Sequence, residues 1–552
     1  MRRVWAAFLA VVVGALVGLG GAAAVTIEGT DGPDRLTGTP GADTLAGLAG
    51  NDRIDGLGGV DFLDGGPGRD AISGGAGGDG VSVEGDGATD TVRCGPGSDL
   101  VTADLTDAVA VDCETLGRRL SRDPFAGLEG QHETEVEPDS FARGSTIVTV
   151  FQVGRFSDVG GAAANGFSTS RDGGKTWRSG LLPSLTFASA PPGTYDRASD
   201  PAVTYDARHG AWLAASLVLA GAGTSVLVSR SRDGVVWEKP VVAVEGTPES
   251  PDKEWLVCDN WPGSRFGGRC YLAYYDLVRD TIAVRYSRDG AATWSPPVLT
   301  AAGPVAEAIV NGAMPVVRRD GTLVVLYSVF ESSQAGGDQI AAVRSIDGGA
   351  SFADPARVAE LSNEDVTGLR APPFVSAETA ADGTIWAAWS DCRFQTDCDA
   401  NDVVISSSRD GVHWTAPARV PAGSVTSGIA RVVPGLGVDP ASSGARTRLG
   451  IVYYSVPALG GCGYATCALA DAFFVGSVNA GRTWTRPVRL TPRSMPLDWI
   501  ADGGIGNLLG DYLSTSWVGG RPIPVFSLAS PPVLTDRRQA IFAATRIAGF
   551  PP

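Results

Sequence analysis

Residues Ser170–Trp177 read SRDGGKTW, and five relatives of this octapeptide follow it along the chain. They are SRDGVVW ending at Trp237, SRDGAATW ending at Trp294, SIDGGASF ending at Phe352, SRDGVHW ending at Trp414, and SVNAGRTW, with Asn479 in the Asp place, ending at Trp484. Successive closing aromatics lie 60, 57, 58, 62 and 70 residues apart. A period of that length is one supersecondary unit copied along the chain. Asp and Gly supply the side-chain-to-backbone bond and the positive φ of a tight turn, the Ser hydroxyl adds a second local bond, and the aromatic folds back over the hairpin.

Strand-like runs precede each turn in the same succession. Before the third come EWLVCDN, GRCYLAYYD and TIAVRYS; before the fifth come PPFVSAETAADG, TIWAAWSD and DVVISSS. A seventh set without a box follows the sixth: GDYLSTSWVGG, RPIPVFSLA and RQAIFAATRI. The box resembles the Asp-box, or BNR repeat, of the sialidase-like β-propellers, in which it joins the third and fourth strands of a blade. The resemblance covers Gln131 to Pro552 and implies an all-β, six- or seven-bladed propeller over residues 131–552. Seven sets of roughly 60 residues favour seven blades.

The abundance of 74 Gly and 35 Pro suits such a turn-dense β protein. The formal charge of −17 is unevenly placed: residues 28–114 hold 18 Asp and Glu against 4 Arg. That imbalance argues against nucleic acid and toward metal cations as partners. Arg2 and Arg3, the apolar run Val4–Gly20 and Ala22-Ala23-Ala24 read as an export signal over residues 1–24, which places the mature chain outside the cell or at its surface, with no membrane span left after cleavage. Eight cysteines form four close pairs: Cys94 with Cys113, Cys258 with Cys270, Cys392 with Cys398, and Cys462 with Cys467. In an exported protein these read as four disulfides.

A second period, nine residues long, runs through the acidic segment. Asp34, Asp43, Asp52, Asp61, Asp70 and Asp79 keep that step, and Asp90 and Asp99 resume it after an insertion. Two residues after each stands an aliphatic, from Leu36 to Val101, and two residues before most of them stands Gly. This resembles the GGxGxDxUx repeat of hemolysin-type (RTX) calcium-binding β-rolls. The resemblance implies a parallel β-roll over residues 25–117, with Ca²⁺ held by the eight aspartates and turn carbonyls, and folding coupled to the ion. Residues 118–130 read as a linker.

The propeller resemblance puts the boxes on the face away from any chemistry. Polar residues near the starts of first strands or in the loops between second and third strands are Glu133, Arg155, Asp200, Lys253, Glu254, Asp259, Asp276, Asn311, Arg370, Asp391 with Arg393, and Asp511 with Tyr512. A retaining sialidase uses a Tyr nucleophile activated by Glu, an Asp acid/base and three Arg on the substrate carboxylate. The resemblance casts Tyr512, Glu254, Asp259 and Arg155, Arg370 and Arg393 in those roles. Each also has a plainer reading: Asp200 caps a turn before Pro201, Arg393 braces a disulfide loop with Asp391, and Lys253 pairs with Glu254. The Arg-Ile-Pro signature of active sialidases is absent between Gly117 and Ser170. Three functions follow: a secreted calcium-dependent propeller that binds glycan or protein ligands, an exo-α-sialidase-type glycoside hydrolase, and a structural surface protein.

Overall fold

The computed structural model describes residues 23–125, 130–158, 160–221, 223–300, 309–330, 337–457, 468–533 and 536–550. Residues 1–22 of the expected export signal lie outside the described residues. Among the described residues the chain is all-β, the only helical pieces being 3-10 turns at Thr396–Cys398, Gly444–Arg446 and Leu497–Trp499. No helix among them is long and apolar enough to cross a membrane. The chain divides into two compact units, one running through Arg119 with residues 490–493 and 546–548, the other comprising the rest.

The first unit is a parallel β-roll. Each nonapeptide gives a turn and a three- or four-residue strand, and alternate strands stack in parallel, so one coil takes two repeats. One sheet aligns Ile27, Leu45, Leu63, Val81, Val101 and Leu116. The other aligns Leu36, Ile54, Ile72, Val92 and Val109. Because strand side chains alternate, the central aliphatic of each strand points inward while its neighbours face out. The two aliphatic ladders form one core together with the bonded pair Cys94–Cys113.

The second unit consists of antiparallel strand sets. First strands are Glu135–Arg143, Arg197–Asp206, Pro251–Cys258, Ile309–Val317, Ser376–Thr379, Ile429–Val438 and Ser514–Val518. Each of the first six pairs outward through second and third strands to a shorter fourth; in the last, Ser514–Val518, Arg521–Val533 and Asp536–Arg546 pair in that order. The first strands pack against one another in succession, and the last packs against the first. This is a propeller arrangement, with apolar cores between neighbouring sets.

All six boxes lie between third and fourth strands. The Ser hydroxyl donates to the side-chain Oδ1 of the Asp or Asn two residues on, at 2.9 Å for Ser170–Asp172 and 3.1 Å for Ser477–Asn479. Asp172 then accepts from Lys175 N–H and Thr176 N–H, so one carboxylate closes the turn. Trp177 and Trp237 are buried between sets, and Trp294, Phe352, Trp414 and Trp484 are half-buried against the neighbouring cores. Within the expected linker, Leu120 is part of the propeller core and donates its N–H to Ile541 O at 2.7 Å.

Of the four expected disulfides, Cys94–Cys113, Cys258–Cys270 and Cys392–Cys398 are bonded. The fourth is not among the bonded pairs, because Cys462 and Cys467 both fall outside the described residues.

Candidate functional site

Five first strands slip register against their second strands. At each slip stands a residue of left-handed conformation: Glu137 (φ 54°), Asp200 (φ 41°), Lys253 (φ 48°), Gly312 (φ 71°) and Val433 (φ 53°). For a residue other than Gly that conformation costs about 1–2 kcal/mol, and a bulge re-aims the side chain it carries. In three neighbouring sets the re-aimed side chains are charged, and they meet. Lys253 Nζ lies 3.1 Å from Glu137 Oε1, 2.9 Å from Asp200 Oδ1 and 2.8 Å from Asp511 Oδ2. Arg370 grips the other side of Asp511 with two donors, Nε at 2.8 Å from Oδ1 and a second nitrogen on Oδ2. Gln152 bonds Glu137 and Ser199, and Arg155 donates to Gln152 Oε1 at 2.9 Å.

The cluster is enclosed, and its electrostatics follow from that. Burial alone would lower the Lys253 ammonium, but Asp200, Asp511 and Glu137 hold it well above its ordinary value. Burial would raise Asp511, yet Lys253 and Arg370 bring it down to about 2. Glu137 is pushed up by burial, with Lys253 opposing, and so carries the cluster's most readily bound proton.

The six residues cast in sialidase roles do not assemble into that constellation. Asp259 stands beyond the far end of the strand that begins near Lys253, where it accepts from Trp261 N–H and the Ser264 hydroxyl and caps a turn. Arg393 is held by Asp391, Nε at 2.8 Å from Oδ1, and by Glu360 O. All three arginines are thus engaged with acceptors of the protein's own. Tyr512 donates to Pro201 O at 3.1 Å and packs edge-on against Trp255, with Lys253 Nζ 5.0 Å from its ring centre. Burial and the carboxylates of Glu137, Asp200 and Glu254 push its phenol well above the ordinary value, the reverse of what an activated nucleophile needs. Glu254 is 1% exposed, neither carboxyl oxygen has a hydrogen-bond partner, and burial drives it well above the ordinary carboxylate range.

In the roll, each repeat aspartate spans two coils. Oδ1 accepts the backbone N–H of the aspartate one coil earlier: Asp52 from Asp34 at 2.8 Å, Asp61 from Asp43 at 2.8 Å, Asp79 from Asp61 at 2.9 Å. Two ladders result, Asp34–Asp52–Asp70–Asp90 and Asp43–Asp61–Asp79–Asp99. In Asp52, Asp61, Asp70, Asp79, Asp90 and Asp99 the other oxygen is buried and without a partner. Those carboxyls are raised, first by burial and then in most cases by one another, to about 6 at Asp61 and about 7 at Asp70. Glycine keeps the space beside them clear: a Cβ on Gly74 would stand 2.7 Å from both Asp79 Oδ2 and Cys94 O. A pocket of anionic and carbonyl oxygens with no donor in it fits a hard divalent cation.

Residues 28–63 and 47–81 match the family model of the RTX calcium-binding nonapeptide repeat, described in four copies. The first unit carries RTX repeats. No curated protein matches the sequence. Among solved structures, the chain is similar to the intramolecular trans-sialidase from Ruminococcus gnavus, at 13% identity over 60% of this chain and 92% of that one with a TM-score of 0.41. It is similar to a protein of unknown function from Dyadobacter fermentans, at 16% over 66% and 99% with a TM-score of 0.41. A PL25 ulvan lyase shows 10% over 77% and 94% with a TM-score of 0.46. At these values no chemistry is carried over to this chain.

The hydrogen-bond ladders of the roll extend past the eight aspartates anticipated from the nine-residue step. Asp107 Oδ1 accepts Asp90 N–H at 3.0 Å and Glu114 Oε2 accepts Asp99 N–H at 2.9 Å, so these two acids are the last rungs. Their spacing departs from nine, which hid them. Glu137 was likewise missed; its signal was the acid–Pro pair Glu137-Pro138, in register with Asp200-Pro201. The grouping Asp206, Cys258 and Cys270 holds no cation, since both sulfurs are bonded to each other and Asp206 is 2.6 Å from His209 Nδ1.

Proposed function

We propose that this is an exported calcium-binding protein whose propeller binds glycan or protein ligands outside the cell without hydrolysing them. The observation that carries this reading is the engagement of Arg155, Arg370 and Arg393 with Gln152, Asp511 and Asp391. A carboxylated sugar would have to displace internal partners before it could be clamped, and Tyr512 beside buried carboxylates lacks an activated phenol. We read the domains as a signal over residues 1–24, the roll over 25–117, a linker over 118–130 and the propeller over 131–552. Seven blades are favoured by the seven first strands that succeed one another. A fourth disulfide, between Cys462 and Cys467, belongs to the same reading of an oxidising compartment. Calcium is structural here: it neutralises the stacked carboxylates of the roll.

The alternative is an exo-α-sialidase-type hydrolase, and one assay separates the two. Purified, calcium-loaded protein is offered fluorogenic sialosides, and the expected result is no turnover. Turnover that disappears in Tyr512→Phe would replace the binding reading with the hydrolase. Export is tested by following the chain in the culture medium; protein retained inside the cell argues against it.

A further inference from the structure

The two aspartate ladders are not uniform along their length, and the difference lies in what the second carboxylate oxygen touches. Asp34 Oδ2 accepts the Thr30 N–H at 2.6 Å and the Thr30 hydroxyl at 2.8 Å. Asp43 Oδ2 accepts the Thr39 N–H at 2.5 Å and the Thr39 hydroxyl at 3.0 Å. From Asp52 through Asp99 the same oxygen has no partner, although these aspartates are no more than 3% exposed. At the far end the run stops again, because Asp107 Oδ2 accepts Asp104 N–H at 2.7 Å.

The backbone explains the change. The residue four places before the aspartate is left-handed in five of the six inner repeats: Leu48 (φ 67°), Leu57 (φ 68°), Gly66 (φ 78°), Gly75 (φ 101°) and Gly95 (φ 94°); before Asp90, where the repeat is longer, Gly85 (φ 102°) and Gly87 (φ 73°) are left-handed on either side of that place. Thr30 and Thr39 hold that position in the first two repeats and are not left-handed, as expected of β-branched residues, which are strained most by that conformation. The glycines two places before the aspartates follow suit from Asp52 to Asp79: Gly50, Gly59, Gly68 and Gly77 have φ between 120° and 148°, whereas Gly32, Gly41 and, before Asp99, Gly97 do not. The first two turns are therefore a different turn, one that aims an N–H and an O–H at the carboxylate. A hard cation requires oxygen acceptors, and two donors at one oxygen both satisfy it and repel the ion.

We infer that calcium occupies only the inner runs Asp52–Asp70–Asp90 and Asp61–Asp79–Asp99, and that Thr30 and Thr39 stand in its place at Asp34 and Asp43. The inference rests on the calcium-binding reading of the repeats. It makes the N-terminal coil a metal-free cap and leaves Asp34 and Asp43 hydrogen-bonded rather than ligating.

The test counts ions on the full chain by native mass spectrometry, with calcium titration calorimetry alongside. Asp43→Asn and Asp34→Asn are expected to bind as many ions as the unmodified protein, with affinities unchanged within about twofold, while Asp61→Asn and Asp70→Asn each bind fewer. The double variant Thr30→Gly/Thr39→Gly, free to adopt the inner turn, is expected to bind more. A count that falls in both Asp43→Asn and Asp34→Asn overturns the inference, and an unchanged count in the double variant overturns the role given to the threonines. If the unmodified protein binds no calcium, it is the calcium reading itself that fails.

Discussion

The Lys253 ammonium stands 2.8 Å from Asp511 Oδ2, joining a bulge in the third first strand to the turn that leads into the last. Asp511 is gripped by Arg370 as well, and Lys253 also holds Glu137 and Asp200. One lysine therefore ties together segments that meet only when the propeller is complete.

Removing that lysine strands buried carboxylates. Lys253→Met is expected to cost about 3–5 kcal/mol, the usual result of breaking one side of a buried ion cluster. Urea unfolding of the propeller reads the loss, and Lys253→Met/Asp200→Asn is expected to recover part of it. A loss under about 1 kcal/mol would show that the cluster is solvated rather than buried.

Calcium removal should loosen the roll and spare the propeller. Hydrogen exchange on the full chain in chelator is expected to lose protection from Asp52 to Val101 while the strands from Glu135 onward keep theirs. Equal loss in both units would count against a calcium-specific roll.

The calcium-free roll should also respond to pH with a definite sign. Asp61 and Asp70 sit at about 6 and about 7 in the folded roll, above the value of an unfolded aspartate. Their protonated forms favour the folded state, so this contribution is complete below about pH 4 and is lost as pH rises through their folded values. Calcium-free protein is thus expected to melt its roll at a higher temperature at pH 5 than at pH 8. With calcium the order reverses, since the ion needs ionised carboxylates. A pH-independent calcium-free melt would contradict the burial of these groups.

The sixth box predicts how the others tolerate change. Asn479 accepts Thr483 N–H at 2.9 Å and donates to the Thr483 hydroxyl at 2.8 Å, the geometry Asp172 reaches with a charge. Asp172→Asn is therefore expected to change stability by less than about 0.5 kcal/mol, and Asp172→Ala to cost about 1–3 kcal/mol through unpaired turn donors. Thermal melts of the two variants decide it; equal losses would refute a hydrogen-bonding role for this residue.

The parts of the fold read most directly from sequence are those in which one residue does its work locally. Asp172 closes its own turn, and Leu45 faces inward because of strand alternation, so both appear as periodic letters. The Lys253 cluster is different. Its members come from distant segments, and they meet because Glu137, Asp200 and Lys253 share a backbone bulge that no single residue type announces; Val433 occupies it too. Asp259 is apart from the cluster for a plainer reason: it lies past the end of the strand Pro251–Cys258, in the turn it caps with Trp261 and Ser264. The capping threonines could be read only from φ and from what Oδ2 touches.

The bonds that thread the roll have a direction. Every repeat aspartate from Asp34 to Asp99 gives its backbone N–H to a carboxylate of the coil that follows it in the chain. A coil is therefore finished by residues synthesised after it, and each waits only for the coil that follows. A chain cut short before Glu114 leaves the Asp99 N–H without its acceptor and the last rung of the roll open.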